Sequence, residues 1–301
     1  MTTGQRLLAS AYAPLVWGST YIVATALLPA DRPFLAATVR ALPAGLILLA
    51  VSRRGLNRGW LLRGAVLGIF MIGGFFSALF VAAYRLPGGT VATIGAMAPI
   101  VVLALSRLML HRPTPLVKWV AGSVAVLGVA LLVGGGGGPS DPIGLAAAIA
   151  APVLMAIGSL LGNLWLNRPD APRPLVLTGW QLTSSGLLLV PVTLAVEGIP
   201  PVPDARNLVG FGYLVLFGTA LAYWLWMGGV RSLTPTQLSP LGVLSPCSAA
   251  VLGWIFADEI LTGQQLLGFV LALAGSVAGS LLGNGRAAAP DDVRAPPRSA
   301  Q

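Results

Sequence analysis

One cysteine and one histidine are all that 301 residues hold of the two strongest metal-binding side chains. A lone cysteine closes no intramolecular disulfide, and Cys247 lies in an apolar run where a small buried hydrophobe is the ordinary role. His111 falls in a cationic stretch and reads as a solvated loop residue, so no metal or cofactor is expected. Charge is scarce as well: 9% of residues are Asp, Glu, Lys or Arg, against roughly 25% in a soluble domain. No Walker A sequence occurs, and GGGGGPSDP at Gly134–Pro142 lacks the Lys-Ser/Thr that would hold a phosphate and its magnesium, which argues against direct ATP hydrolysis. Every Asp and Glu falls in a joint, a tail or a run end, so the usual intramembrane groups for proton or sodium coupling are missing. Coupling through backbone carbonyls, or through Asp258 and Glu259, stays open. The same scarcity argues against an enzyme acting on lipid-linked substrates, which needs a nucleophile and base or clustered metal ligands. A channel would need a filter motif, and none is visible.

Long apolar runs fill the chain instead. With 56% of residues hydrophobic, ten runs near the 20 residues of a membrane helix follow one another: 7–28, 34–51, 62–83, 88–108, 116–133, 143–166, 175–196, 208–228, 235–256 and 264–282. The first is too long for a signal peptide and has no clear small-residue cleavage site. The formal charge of +9 then reads as topology rather than as nucleic-acid binding, because its placement alternates with the joints. With the N-terminus inside, fourteen Lys/Arg fall on the inner side and only Arg32, Arg85 and Arg206 on the outer, leaving Arg40 within the second run. That asymmetry puts both termini in the cytoplasm.

The chain is also written twice. Pro14 matches Pro152, Gly18-Ser19 matches Gly158-Ser159 and Arg40 matches Gln181 at offsets near 140 residues; Leu86, Gly95, Pro99 and Gly128 match Leu233, Gly242, Pro246 and Gly275 at 147. Five spans per copy is an odd number, so the second copy enters from the opposite side. The expected fold is all-α and integral to the membrane, ten transmembrane helices as two five-helix inverted-topology repeats. The first repeat is 1–134, a Gly-rich linker spans 135–142, the second repeat is 143–283, and an Ala/Pro-rich tail, 284–301, is expected to be disordered.

Inverted repeats in transporters frame a binding site near the midplane. Pro99 and Pro246 should each remove a backbone donor and bend a helix, which cavity-lining helices tolerate; the alternative is that prolines are simply commoner in membrane helices. Gly73 and Gly74 are hinge candidates, or packing contacts. Phe76, Phe80 and Tyr84 recur every four residues, as do Trp17 with Tyr21 and Tyr223 with Met227, so each set shares a helix face. These could line a cavity or merely pack. Met97, beside Pro99, joins the substrate-binding candidates. Arg40 is the one ionisable residue well inside an apolar run; it contacts a substrate carboxylate or the carbonyls of a broken helix, or else snorkels to the outer interface. Gln181, its matched partner, can donate and accept. Gly64/Gly68 and Gly275/Gly279/Gly283 form small-residue ridges suited to close helix contact.

The stretches APLVWGSTYIVA, LPGGTVATIGAMAPIV and LSPLGVLSPCSAAVLGWIFADEILTGQQLLGFVLALAGSVAG, with Arg40 in the second helix, resemble the EamA-type members of the drug/metabolite transporter superfamily over residues 7–283. Glu259 at the end of the ninth run belongs to the most specific part, whereas LHRPTP in the first half lacks its acidic counterpart. The resemblance implies an exporter of small metabolites or drugs in the bacterial inner membrane, and the aromatics bring to mind its YddG-like amino-acid exporters. An apolar, aromatic cavity with a few polar groups fits aromatic or hydrophobic amino acids, moved down their gradient by alternating access. Organic cations are the alternative substrates. The expected partners are that substrate and the bilayer, with the chain a monomer or a dimer.

Overall fold

Runs of about 20 apolar residues satisfy their backbone in lipid only as helices or closed barrels. The computed structural model, which describes residues 2–53, 55–110, 115–134, 141–257 and 260–281, is helical throughout its regular parts. Most of the Gly-rich joint (135–140), the tail from 284, His111, Asp258, Glu259 and Gly283 lie outside the described residues. In chain order the helices are α1 (Thr3–Leu27), α2 (Pro33–Ser52), α3 (Arg58–Ala83), α4 (Gly88–Met109), α5 (Leu116–Gly134), α6 (Pro142–Trp165), α7 (Pro174–Glu197), α8 (Ala205–Ser232), α9 (Pro240–Phe256) and α10 (Gly263–Leu281). Seven of them, all but α5, α9 and α10, are long and apolar enough to cross a membrane. Many exposed side chains of the bundle are large and apolar, among them Leu62, Leu108, Leu187, Leu208 and Val251, a surface suited to lipid and not to water.

Local chemistry sets the helix starts. Asn57 caps α3 by accepting from the Trp60 amide at 3.0 Å, and Asp204 caps α8 by accepting from the Asn207 amide at 2.7 Å. Pro33, Pro142 and Pro174 sit in the first turns of α2, α6 and α7, where a missing N–H costs nothing.

Several helices are broken partway along their length. A π-helical turn at Ile69–Gly74 interrupts α3, and another at Leu216–Leu221 interrupts α8, 147 residues on. α4 breaks at a turn over Ala96 and Met97, and α9 opens in a 3-10 turn, Ser239–Val243. α1 breaks at Ser19, whose hydroxyl donates to the Val16 carbonyl at 2.7 Å and shares a bond of the same length with the Tyr213 hydroxyl. These breaks revise the expected part of the prolines. Pro99 is the second residue of the segment Ala98–Leu110 and Pro246 the third of Leu244–Phe256, first-turn positions that tolerate proline. The bend therefore comes from the turn before each proline rather than from a lost hydrogen bond in mid-helix. Among the described residues, Pro14, Pro43, Pro152 and Pro191 do lie inside helices. Gly73 and Gly74 close the first π turn, Gly73 against Ser185 and Gly74 against Leu154.

Two helix pairs form the closest seams. α2 lies along α7, and α5 along α10. In the first seam Gly45 meets the Thr183 backbone and Gly186 meets that of Leu42; in the second, Gly128, Gly268 and Gly275 let the two backbones touch. The small-residue ridges thus pack inside the bundle: Gly275 against Ala121 and Ala125, Gly64 against Trp180, Gly68 against Gln181 and Ser185.

Candidate functional site: a central cavity around Arg40

Between these seams lies a cavity of about 420 Å³ lined by residues from all helices but α5. Its wall is mostly apolar, with a few polar groups set into it. Pro14 and Pro152 face it from α1 and α6, Phe76 and Tyr223 from α3 and α8, and Gly95 and Gly242 from the breaks of α4 and α9. Each of these pairs was matched in the two sequence halves or lies at the same 147-residue offset.

Of the residues expected to touch substrate, Trp17, Tyr21, Arg40, Phe76, Gln181, Tyr223 and Met227 line the cavity, as does Pro246. Phe80, Tyr84 and Met97 do not. Phe80 is fully buried beside the Arg40 guanidinium, 5.9 Å from ring centre to Cζ. Tyr84 stands eight residues beyond Phe76, roughly 12 Å along the axis, and its hydroxyl donates to the Pro29 carbonyl at 3.0 Å. Met97 lies in the α4 turn, off the wall, and Gly73 and Gly74 are off it too. The Pro99 side chain is outside the described set.

Arg40 turns inward and is only 3% exposed. Its Nε donates to Thr219 Oγ1 at 2.9 Å, Nη1 to Thr20 Oγ1 at 3.3 Å and Nη2 to the Gly218 carbonyl at 3.3 Å. The guanidinium also lies over the Phe76 ring, Cζ 4.4 Å from its centre. Gly218 and Thr219 belong to the π turn of α8, and Thr20 follows the break in α1. One cation therefore ties α2 to two irregular segments, through the hydroxyls of Thr20 and Thr219 and through the Gly218 carbonyl of the π turn.

Sequence reasoning missed Trp226. Trp17 packs between Tyr223 and Trp226, ring centres 5.5 Å from each. The i, i+3 spacing of Tyr223 and Trp226 was a signal that a search confined to four-residue steps passes over. Thr20, Thr219 and Ser276, whose hydroxyl donates to the Ala96 carbonyl at 2.6 Å, carried no local signal at all.

One end of the bundle is stapled across the two sequence halves. Glu197 at the end of α7 accepts from the amides of Phe34 at 2.6 Å and Leu35 at 2.9 Å in the first turn of α2. Asn207 Nδ2 donates to the Leu27 carbonyl at 3.0 Å. Arg85 pairs with Asp141 at 2.8 Å. The Gly144 amide, then the Arg85 guanidinium, hold the Asp141 carboxyl below its usual range, but this pair is exposed and adds little to stability. Glu197 is the stronger link. Replacing Glu197 by Ala should cost about 1–2 kcal/mol, the range of a lost charged helix cap, read as a Tm drop in detergent; an unchanged Tm would show that the staple is not a stabilising contact.

A second, small cavity of about 30 Å³ adjoins this stapled end, walled by Gly18, Ala83, Gly88, Ala249 and Gly253 among others. It has room for a water or two. Tyr21 lines both cavities and stands between them, its Cβ packed on Gly88.

Known proteins bear on this arrangement. The sequence matches the EamA-like transporter family twice, over residues 6–134 and 142–280. It is 44% identical to "Protein PecM" of Dickeya dadantii (strain 3937), the match covering 86% of each chain. It is 27% identical to "Uncharacterized inner membrane transporter YedA" of Escherichia coli (strain K12), over 84% of this chain and 83% of that one. Identity to the "Probable amino-acid metabolite efflux pump" of Salmonella typhimurium is 23%, over 87% and 90%. A solved crystal structure superposes with a TM-score of 0.65 across 95% of this chain and all of that one, at 18% identity, a likeness of fold alone.

Proposed function

Because the chain belongs to the EamA-like transporter family, we propose that it exports small metabolites, most readily aromatic or hydrophobic amino acids, from the bacterial cytoplasm across the inner membrane. The observation that carries this reading is the central cavity: enclosed by both sequence halves, apolar and aromatic, with Arg40 and Gln181 as polar anchors. A zwitterion with an aromatic side chain suits such a wall, its carboxylate toward Arg40 and its ring among Trp17, Tyr223 and Trp226. The name of the Salmonella relative points the same way.

The mechanism is alternating access by two five-helix repeats, 1–134 and 143–283, of opposite orientation, with both termini cytoplasmic. Matched π turns in α3 and α8, matched breaks in α4 and α9, and the two family matches support it. Under this topology the stapled end of the bundle faces out, so the structure is closed outward. Transport runs down the substrate gradient, supported by the placement of every Asp and Glu at joints, tails and run ends.

The test is efflux of a panel of labelled amino acids from liposomes holding the purified protein, with and without an imposed proton gradient. Saturable efflux that ignores the proton gradient is the expected result. No amino-acid flux under either condition would remove this substrate class. Tyr21 supplies a further check, since it divides the central cavity from the small outer one. Tyr21→Ala should join the two, raising the basal leak of labelled phenylalanine several-fold in the same liposomes; a leak no greater than wild type would remove Tyr21 as the outer gate.

A further inference from the structure

We propose that the cavity recognises its substrate as an anion: a carboxylate bound at Arg40 beside an aromatic or apolar body, with no requirement for an α-ammonium. This rests on the reading of the cavity as the transport site and narrows it.

The polar groups of the wall are unbalanced toward donors. Arg40 is the single charged side chain that lines the cavity; no Asp or Glu does among the described residues. Its partners among the described residues are neutral: two threonine hydroxyls, one peptide carbonyl and the rings of Phe76 and Phe80. A guanidinium has five N–H donors, and three are engaged, two of them at 3.3 Å, beyond the usual N–H···O range. Two donors remain, and two more exchange at small cost. In the same wall the Trp17 indole Nε1 is buried with no hydrogen-bond partner among the described residues. Trp17 precedes the α1 break at Ser19 and Thr20, the residue that Arg40 holds, follows it, so the unpartnered indole and the guanidinium belong to the same stretch of cavity wall.

A buried donor without an acceptor is costly, and a buried cation without a counter-charge is more so. A carboxylate answers both, taking charge-assisted bonds from Arg40 and accepting from Trp17. An ammonium finds the reverse situation. No carboxylate meets it, Arg40 repels it, and the indole and phenol rings of Trp17, Tyr223 and Trp226 are turned onto one another instead of forming an open cage. The α-ammonium of an amino acid is therefore tolerated, and organic cations are rejected.

The test uses three probes of one shape: 3-phenylpropionate, which has only the carboxylate; phenylalanine, which has both groups; and phenethylamine, which has only the ammonium. Binding to the purified protein is read by tryptophan fluorescence, and phenylalanine flux is read separately in liposomes. 3-Phenylpropionate should bind at least as tightly as phenylalanine, and phenethylamine at least about tenfold more weakly, in line with a lost charged hydrogen bond. Arg40→Lys should keep the order of preference, Arg40→Met should erase it, and Trp17→Phe, which removes the N–H with the five-membered part of the ring but keeps an aromatic side chain, should weaken 3-phenylpropionate several-fold more than phenethylamine. If phenylalanine binds and is carried but 3-phenylpropionate is not bound, the ammonium is required and the inference fails while the transport reading stands. Equal or tighter binding of phenethylamine overturns it, as does an unchanged preference in Arg40→Met. Absence of binding by all three overturns it together with the aromatic substrate class.

Discussion

Gly95→Phe should yield a protein that folds as the wild type does and transports almost nothing. A Cβ built on Gly95 meets no heavy atom within 4 Å, and the same holds for Gly242, its counterpart in the second half. Both line the central cavity. A side chain there extends into open space instead of into a neighbour, so the Tm should stay within a few degrees; Phe is also a slightly better helix former than glycine, by a few tenths of a kcal/mol. Meanwhile the benzyl group enters a cavity of about 420 Å³ whose wall also holds Arg40, Trp17, Tyr223 and Trp226. Flux of labelled phenylalanine should fall below about a tenth of wild type, since excluding a ligand from a filled site costs more than the roughly 1.4 kcal/mol that tenfold represents. Gly242→Phe should do the same from the break in α9. Normal flux through either well-folded variant would place the pathway elsewhere.

Gly128→Val should have the opposite signature, with folding lost before transport can be asked about. A Cβ on Gly128 lands on the Ala272 amide nitrogen and 2.6 Å from the Gly268 carbonyl, both backbone atoms of α10 that no rotamer change can move. Gly275 is placed reciprocally, its Cβ position 2.6 Å from the Ala121 carbonyl and the Ala125 amide of α5. Forcing α5 and α10 apart breaks the seam along its length, at a cost of about 3 kcal/mol or more. The readout is Tm in detergent, together with the yield of monodisperse protein. Gly279→Ala is the control, since its added methyl lies 3.8 Å from the Ala121 Cβ, an ordinary contact, and its Tm should not fall. A Gly128→Val protein as stable as wild type would mean that the seam is looser than its geometry.

Both glycine pairs could be named from the sequence, but not told apart. The matched positions Gly95/Gly242 and Gly128/Gly275 look alike as letters; only the distance to the next backbone separates a lining glycine from a packing one. Arg40 was legible for a better reason: a charge in the middle of an apolar run has few tolerable environments, an inward site or a snorkel to the interface, and folding decides between them for the first. Its partners were not legible, because Thr20 and Thr219 are ordinary membrane-helix residues until folding brings them within 3.3 Å of it. The π turns were invisible too. IFMIGG and LFGTAL share no proline and no charge, and a widened turn is fixed by what the freed carbonyl meets, here Arg40 at Gly218, and not by local propensity. The aromatic stripe Phe76, Phe80, Tyr84 was right as a helix face and too long as a site: a face continues along the whole helix, while the cavity beside it ends.

The most direct test of the central claim, a carrier that exposes one cavity alternately to each side, is counterflow. Liposomes holding the protein are loaded with unlabelled phenylalanine and diluted into a trace of labelled phenylalanine. An alternating-access carrier predicts a transient accumulation of label above its equilibrium level, driven by the outward flux of the unlabelled pool and absent from Gly95→Phe liposomes. Label that only rises to equilibrium, at a rate indifferent to the amino acid inside, would contradict the account and point to an open pore.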